Sequence, residues 1–408
     1  MAVTVLTFEE ARRRILDGVS ALVPIELPLA EAWGCVMARD VITEYDIPPF
    51  SSGMVEGFAV RSADVAAASP QAPVQLRVAG SVVAGRPPEI TVGWGEAARI
   101  TAAAPIPAGA DTVIPAERAV LEGESVRIQA PAGPGEHIRP AGEDIRAGSV
   151  LVPAGRRLSA AELGMLATAG YGAALTYPKV RVAVVSIGEL IEPGRPAGFG
   201  QVRDANSYSI VGGLRDVGAV PYRVGIVQNV ASDLRESLLS NLSRADAFIC
   251  AGGVGEEEGD RVSLVLAGMG ELETIRVAMR PGGIMGFGIV DGKPFFSLSS
   301  EPASAFVTWE VFVRPAILKT MGRRDLGRPE VSAVLEGDVP GPGGATRLVP
   351  TRVSHRQGAW RATPTGEGAP GLLGSVVHAN GFMVLPPDDG AKRAGDRVRV
   401  QIFRPLER

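Results

Sequence analysis

The residues able to do chemistry in this chain of 408 residues lie mainly in loops. The stretch "AGGVGEEEGD", Ala251 to Asp260, begins as a phosphate cradle does. Gly252 and Gly253 let the backbone approach a ligand with its N–H donors exposed. Glu256, Glu257, Glu258 and Asp260 then place four carboxylates in five positions, and these repel a phosphate. The stretch therefore reads as an anion site, a metal site, or an anion site since lost. In "AGEDIRAG", Glu143 and Asp144 are adjacent acids. Such a pair either binds a metal and polarises water or sits solvated in a turn. In "IRVAMRPGG", Arg276 and Arg280 carry guanidinium forks that grip oxyanions bidentately. In "SLSSEPASAF", Glu301 precedes Pro302 at the start of a helix. A helix N-terminus attracts anions, but a Glu there occupies the positive end itself.

These loops need a scaffold, and the pattern after Pro178 supplies one. "KVRVAVVSIG" is a continuous apolar run, as expected of a strand buried on both faces. Helix "ANSYSIVGGLRDVG", strand "YRVGIV", helix "ASDLRESLLSNL" and strand "ADAFICAGG" follow. The alternation predicts a parallel sheet covered by helices on both faces, with ligands at the carboxyl ends of its strands. "SIGEL", "AGGVGEEEGD" and "SLSSEPAS" fall at those ends. "TFEEARRRILDGV" predicts a helix with Thr7 and Glu10 as a capping box. Ser159 is the expected N-cap of another, "LSAAELGMLATAG". "PIELPLAEAWGCVMARDVIT" reads as a short strand and a helical or extended segment. From about residue 75 to 130, and again beyond about 330, short alternating runs with Gly and Pro turns predict β modules.

Composition narrows the partners. The length calls for more than one core. The net charge of −4 gives no global attraction to nucleic acid or an anionic membrane. Cys35 and Cys250 stand far apart in apolar surroundings, as buried free thiols do in a reducing compartment. No apolar run approaches the ~20 residues of a membrane span. A cytoplasmic protein with neither nucleic acid nor membrane as partner is expected.

Three segments together resemble the MoeA and gephyrin E-domain family. "IRPAGEDIRAGSVLVPAGRRLSAAELGMLATAGYG" is similar to its GEDI segment, "VAMRPGGIMGFG" to its KPG loop, and "EPASAFVTWEVFVRPAIL" to the helix that follows. "GLLGSVVHANGFMVLPPDDGAKRAGDRVRV" resembles its C-terminal barrel. The resemblance implies an elongated four-part subunit: a linking domain over residues 1–46 and 147–177, a β-rich module over 47–146, an α/β molybdopterin-binding-like domain over 178–324, and a C-terminal β-barrel over 325–408. It implies a homodimer that inserts molybdate into adenylylated molybdopterin with Mg²⁺, releasing AMP. It places catalytic carboxylates at Glu56, Asp144, Glu189 and Asp260, with Asp144 and Glu189 toward the metal. Arg139, Gly252, Gly253, Arg276, Arg280 and Pro302 would hold the nucleotide-pterin, and the partner subunit would contribute to the site.

The ligand-facing positions depart from the family pattern. Glu56 stands for an Asp and Phe58 for a Tyr; Ala102 and Ala103 stand for Thr and Gly. Ile187 stands for a Thr in a loop one residue shorter. Gly255 replaces a Ser and Glu257 a Gly. Arg276 and Arg280 replace two Lys, and Gly283 a third basic residue. Glu301 belongs to a loop in which only Pro302 of the family pattern persists. Asp204 and Asn206 remain at a helix start, where Asp204 reads as a cap. Three functions stay open on this reading: a transferase with an altered site, a non-catalytic dimeric scaffold that binds protein partners, and a different reaction in a remodelled cleft.

Overall fold

The computed structural model describes residues 5–254, 261–266, 269–356, 358–366 and 373–406. A seven-stranded sheet runs in the order Val5–Leu6, Gly270–Val277, Ile284–Val290, Lys293–Leu298, Ala247–Ala251, Arg181–Ile187, Val220–Val227. The last four strands are parallel, as the β-α alternation predicts. Along Arg181–Ile187 the side chains sort with period two. Val182 and Val184 join a core with Ile210, Leu214 and Trp309. Ala183, Val185 and Ile187 join another with Leu234, Leu238 and Phe248. Helix Asn206–Asp216 covers the first face and helix Ala231–Asn241 the second.

Two features go beyond the expected sheet. Ile284–Val290 runs antiparallel to both of its neighbours, so "IRVAMRPGG" is part strand rather than all loop. The glycines of "GIMGFGIV" hide the apolar periodicity, yet the pairing requires one of them: a Cβ on Gly288 would lie 1.9 Å from the Glu271 carbonyl oxygen. The N-terminal segment, expected in the linking domain, instead joins the α/β sheet. Val5 pairs with Arg276 and Leu6 with Val277. Helix Phe8–Asp17 carries the Thr7–Glu10 capping box and buries Phe8, Ala11 and Ile15 in the same core as the sheet. Its apolar stripe needs an apolar partner, and the helical residues 309–320 supply it.

The β-rich module is a six-stranded sheet ordered Ala119–Glu122, Ser125–Ile128, Val74–Val82, Glu96–Ile100, Gly57–Val60, Thr112–Pro115. A third core gathers Met37, Val152, Leu158 and Leu166 around strands Ile25–Pro28, Val36–Met37 and Ala173–Tyr177. Helix Ala160–Thr168 packs there behind a Ser159–Glu162 capping box. Residues 29–35 form turns, not a helix. At the C-terminal end, strands Glu330–Leu335, Thr346–Arg356, Ala359–Pro364, Gly381–Leu385 and Arg397–Ile402 pair in a closed ring of five, a β-barrel. Met279–Arg280 adds to its wall by pairing with Thr346 and Arg347. Among the described residues, no helix is long and apolar enough to cross a membrane.

Candidate functional site

The register of the large sheet brings several predicted residues to one edge. Ile187, Ala251 and Leu298 end three adjacent parallel strands, so Glu189, Gly252, Gly253 and Pro302 follow at the same end. Arg276 pairs with Ile284, whose strand turns back beside Lys293–Leu298, and it therefore lies at that end too. Arg280 lies further on, where its main chain pairs with the barrel strand at Arg347. Asp260, with Glu256, Glu257 and Glu258, lies outside the described residues.

Gly252 and Gly253 both adopt left-handed backbone, with φ of 102° and 81°. Space as well as φ demands glycine there. A Cβ on Gly252 would lie 2.6 Å from the Ile187 carbonyl oxygen, and one on Gly253 would lie 2.5 Å from Val262 Cγ2. The Gly252 N–H donates to the Leu298 carbonyl at 2.9 Å, and its carbonyl accepts from the Ser297 hydroxyl at 3.1 Å. The Ile187 side chain stands beside this turn: its Cδ1 comes within 3.2 Å of a Cβ built on Gly253. The replacement noted in the sequence thus puts a buried methyl group next to the glycine loop.

The helix starting at Pro302 has Glu301 as its N-cap residue. The Glu301 carboxylate accepts the Ser304 hydroxyl, so a negative charge occupies the first turn, as the sequence suggests. Asn206 opens the neighbouring helix. It is buried, and its Nδ2 donates to the Ser300 carbonyl at 2.9 Å, tying the two helix starts together. Its Oδ1 has no hydrogen-bond partner. A buried amide oxygen left unpaired costs about 1–3 kcal/mol, so this atom is an unsatisfied acceptor beside the sheet edge.

Asp204 is a structural group, as its cap reading predicts. It is buried, accepts the Ser207 N–H at 3.1 Å and faces the Arg223 guanidinium at 3.3 Å. Arg223, Glu192 and Tyr208 form a network that sequence reading missed. Arg223 Nη1 donates to Glu192 at 2.6 Å, and the Tyr208 hydroxyl donates to Glu192 at 2.7 Å. The Arg223 guanidinium also lies 4.5 Å from the centre of the Tyr208 ring. These bonds, first from Arg223 and then from Tyr208, hold the Glu192 carboxyl down to about 2. They tie Glu192 to helix Asn206–Asp216 and to strand Val220–Val227. No spacing rule announces such a trio, because each member comes from a different element.

Glu56, Arg139 and Asp144 belong to a second cluster, on the β-rich module. Three loops converge there: Ser52 bridges Pro105, Arg139 pairs with Ser52, and Ile47 bridges Ile145. Glu56 is exposed and lies 3.7 Å from Arg99. Arg139 Nε lies 3.1 Å from Glu143, so part of the predicted oxyanion grip is spent on a neighbour. Asp144 is exposed, with its N–H on the Ile47 carbonyl at 3.1 Å. Ala103, in the position of a family glycine, keeps a glycine-like φ of 62°. Thr101 Oγ1 accepts the Ala84 N–H at 3.2 Å.

Among the described residues no three His, Cys, Asp or Glu side chains gather to hold a metal ion. Cys35 and Cys250 are buried free thiols, and burial pushes both thiol pKa values up. Neither is a reactive thiolate.

Comparison with known proteins matches this architecture part by part. Residues 6–170 match the MoeA N-terminal region (domain I and II), 183–319 a probable molybdopterin binding domain, and 332–403 the MoeA C-terminal region (domain IV). These matches define a chain of MoeA type from end to end. Molybdopterin molybdenumtransferase 1 of Mycobacterium tuberculosis is 36% identical, covering 96% of this chain and 97% of its own. Molybdopterin molybdenumtransferase 2 of the same organism is 34% identical, covering 96% and 98%. The crystal structure of a molybdopterin biosynthesis MoeA protein from Pyrococcus horikoshii superposes with a TM-score of 0.83 at 28% identity, covering 99% and 100%. The chain belongs to the MoeA family of molybdopterin molybdenumtransferases.

Proposed function

We propose that this protein acts in molybdenum cofactor biosynthesis, inserting molybdate into adenylylated molybdopterin with release of AMP. The observation that carries the reading is the sheet edge. There a left-handed Gly252–Gly253 turn, the buried, unpaired Asn206 Oδ1 and Arg276 stand at the carboxyl ends of parallel strands, where ligands of such sheets bind. On this reading Arg276 and Arg280 face the substrate's phosphates and molybdate, the glycine turn lets its backbone approach, and Pro302 sets the helix start beside it. Asp144, Glu189, Glu56 and Asp260 are the carboxylates that steer the oxyanion and its water.

Asp144, Glu56 and Arg139 sit on the β-rich module, a sheet separate from that edge. A homodimer in which one subunit's module faces the other's edge would complete the site, so we include the homodimer in the proposal. Mg²⁺ belongs to it as an ion arriving with the substrate: such an ion keeps several waters and needs only one or two protein carboxylates beside substrate phosphates. When bound, it would neutralise phosphate charge. A cytoplasmic location is part of the same reading. A lapsed, scaffold-type relative is the second reading, favoured by the Ile187 methyl beside Gly253 and by Glu301 in the helix start.

Titration of adenylylated molybdopterin into the protein, together with the solution mass, tests the first reading. It expects a dimer that binds the nucleotide-pterin and loses affinity in Arg276→Ala. A protein that does not bind the compound overturns it in favour of the scaffold.

A further inference from the structure

A second candidate site lies away from the sheet edge. A cavity of about 90 Å³ is bounded by the N-terminal helix, the helical residues 310–315, residues 327–330 and the barrel. Arg314 is 4% exposed. Its Nε lies 3.2 Å from the Glu310 carboxylate, and its Nη2 donates to the Leu326 carbonyl at 3.0 Å. Arg328 takes both oxygens of Glu310, at 3.0 and 2.8 Å. Arg12 also lines the cavity, one helical turn after Phe8, and makes no hydrogen bond or ion pair among the described residues.

Three guanidiniums and two carboxylates line the cavity, and the Asp325 carboxylate acts on Arg314 from beside it. Glu310 is already committed on both oxygens, and Glu330 accepts the Gln401 amide at 3.0 Å. Burial first, and then the neighbouring Arg328, presses the Arg314 guanidinium down to about 10, and Arg12 adds to the effect. Arg314 and Arg328 both pair with Glu310, so Arg12 is the guanidinium of this lining left without a carboxylate partner among the described residues. The backbone is unusual at the same place: residues Trp309–Val313 form a π turn, with the Arg314 N–H reaching the Trp309 carbonyl. Such turns often mark functional positions.

We propose that this cavity binds a small tetrahedral oxyanion between Arg12 and Arg314, with Arg328 held beside it by Glu310. Guanidinium forks match the paired oxygens of such an ion, and Phe8 and Phe403 close the apolar side. Phosphate, sulfate and molybdate share this chemistry. The inference does not depend on the transferase reading.

The test is thermal unfolding of the full protein with each oxyanion at fixed ionic strength, with chloride as the control. In wild type the Tm rises with oxyanion concentration. Arg12→Ala, a change at a half-buried side chain, weakens the apparent Kd by about tenfold or more, the usual effect of losing one charge-assisted hydrogen bond. Arg280→Ala, in the proposed substrate site, leaves the Arg12-dependent part of the Tm rise in place. The tightest of the three oxyanions identifies the natural one. A Tm rise that chloride reproduces, or that is no smaller in Arg12→Ala, or whose Arg12-dependent part disappears in Arg280→Ala, overturns the proposal.

Discussion

Two adjacent glycines in helix Asn206–Asp216 should respond to the same substitution with opposite signs. The helix sets the position of Asn206, so its packing sets one wall of the site. A Cβ on Gly213 would lie 2.4 Å from Trp309 Nε1 and 2.7 Å from Trp309 Cε2. Trp309 is fully buried in the helical stretch that begins at Pro302, and its rigid ring cannot swing away. A Cβ on Gly212 would meet nothing within 4 Å. In a helix interior Gly→Ala ordinarily gains up to about 1 kcal/mol. Gly212→Ala should gain about that much. Gly213→Ala gains the same helix term but forces the two helices apart, and overpacking costs about 1–3 kcal/mol. Its net effect should be zero to about 2 kcal/mol destabilising, leaving the two variants about 1–3 kcal/mol apart. Urea unfolding followed by tryptophan fluorescence measures both. Gly213→Ala should also weaken nucleotide-pterin binding, because the Asn206 contact to Ser300 moves with the helix. Equal midpoints for the two variants would refute the packing argument.

Ala103→Gly should stabilise the protein by about 0.5–1 kcal/mol: it removes a left-handed non-glycine worth about 1–2 kcal/mol and adds back some unfolded-chain entropy. Chemical unfolding reads the sign, and a loss of stability would show that Ala103 is unstrained. The Glu192 carboxyl titrates near 2 when folded and near 4.3 when unfolded. Its contribution is therefore full above about pH 4.5 and fades as pH falls toward 2. Glu192→Gln should flatten the acid limb of the stability profile between those values, and an unchanged limb counts against the Arg223–Tyr208 network. Asp144→Asn should slow AMP release by roughly 10²-fold, the lower range for a positioned acid or base. Its Tm should stay at the wild-type value because the side chain is exposed; activity at the wild-type level would remove Asp144 from the site.

The parts of the fold visible in the sequence were those with local causes. The Thr7–Glu10 and Ser159–Glu162 boxes and the apolar run before Ile187 each need only a few neighbouring residues. The pairing of Val5–Leu6 with residues 276–277 joins segments some 270 positions apart, so no local pattern could show it. The hairpin through Gly286 and Gly288 was hidden because close strand packing there requires residues with no side chain. At the site, the glycine turn and Glu301 were legible because glycine and a charge at a helix start have strong local meanings. The Glu192–Tyr208–Arg223 trio and the open Asn206 oxygen depend on three-dimensional neighbours alone. So does the division of the predicted site residues between the sheet edge and the β-rich module.

AMP release from adenylylated molybdopterin, followed in the presence of molybdate and Mg²⁺, decides whether this chain is a working molybdenumtransferase. Release should require molybdate and fall in Asp144→Asn and Arg276→Ala. A purified, folded protein that releases no AMP under these conditions would contradict the transferase reading, and would make the Ile187 and Glu301 replacements the mark of a lapsed enzyme.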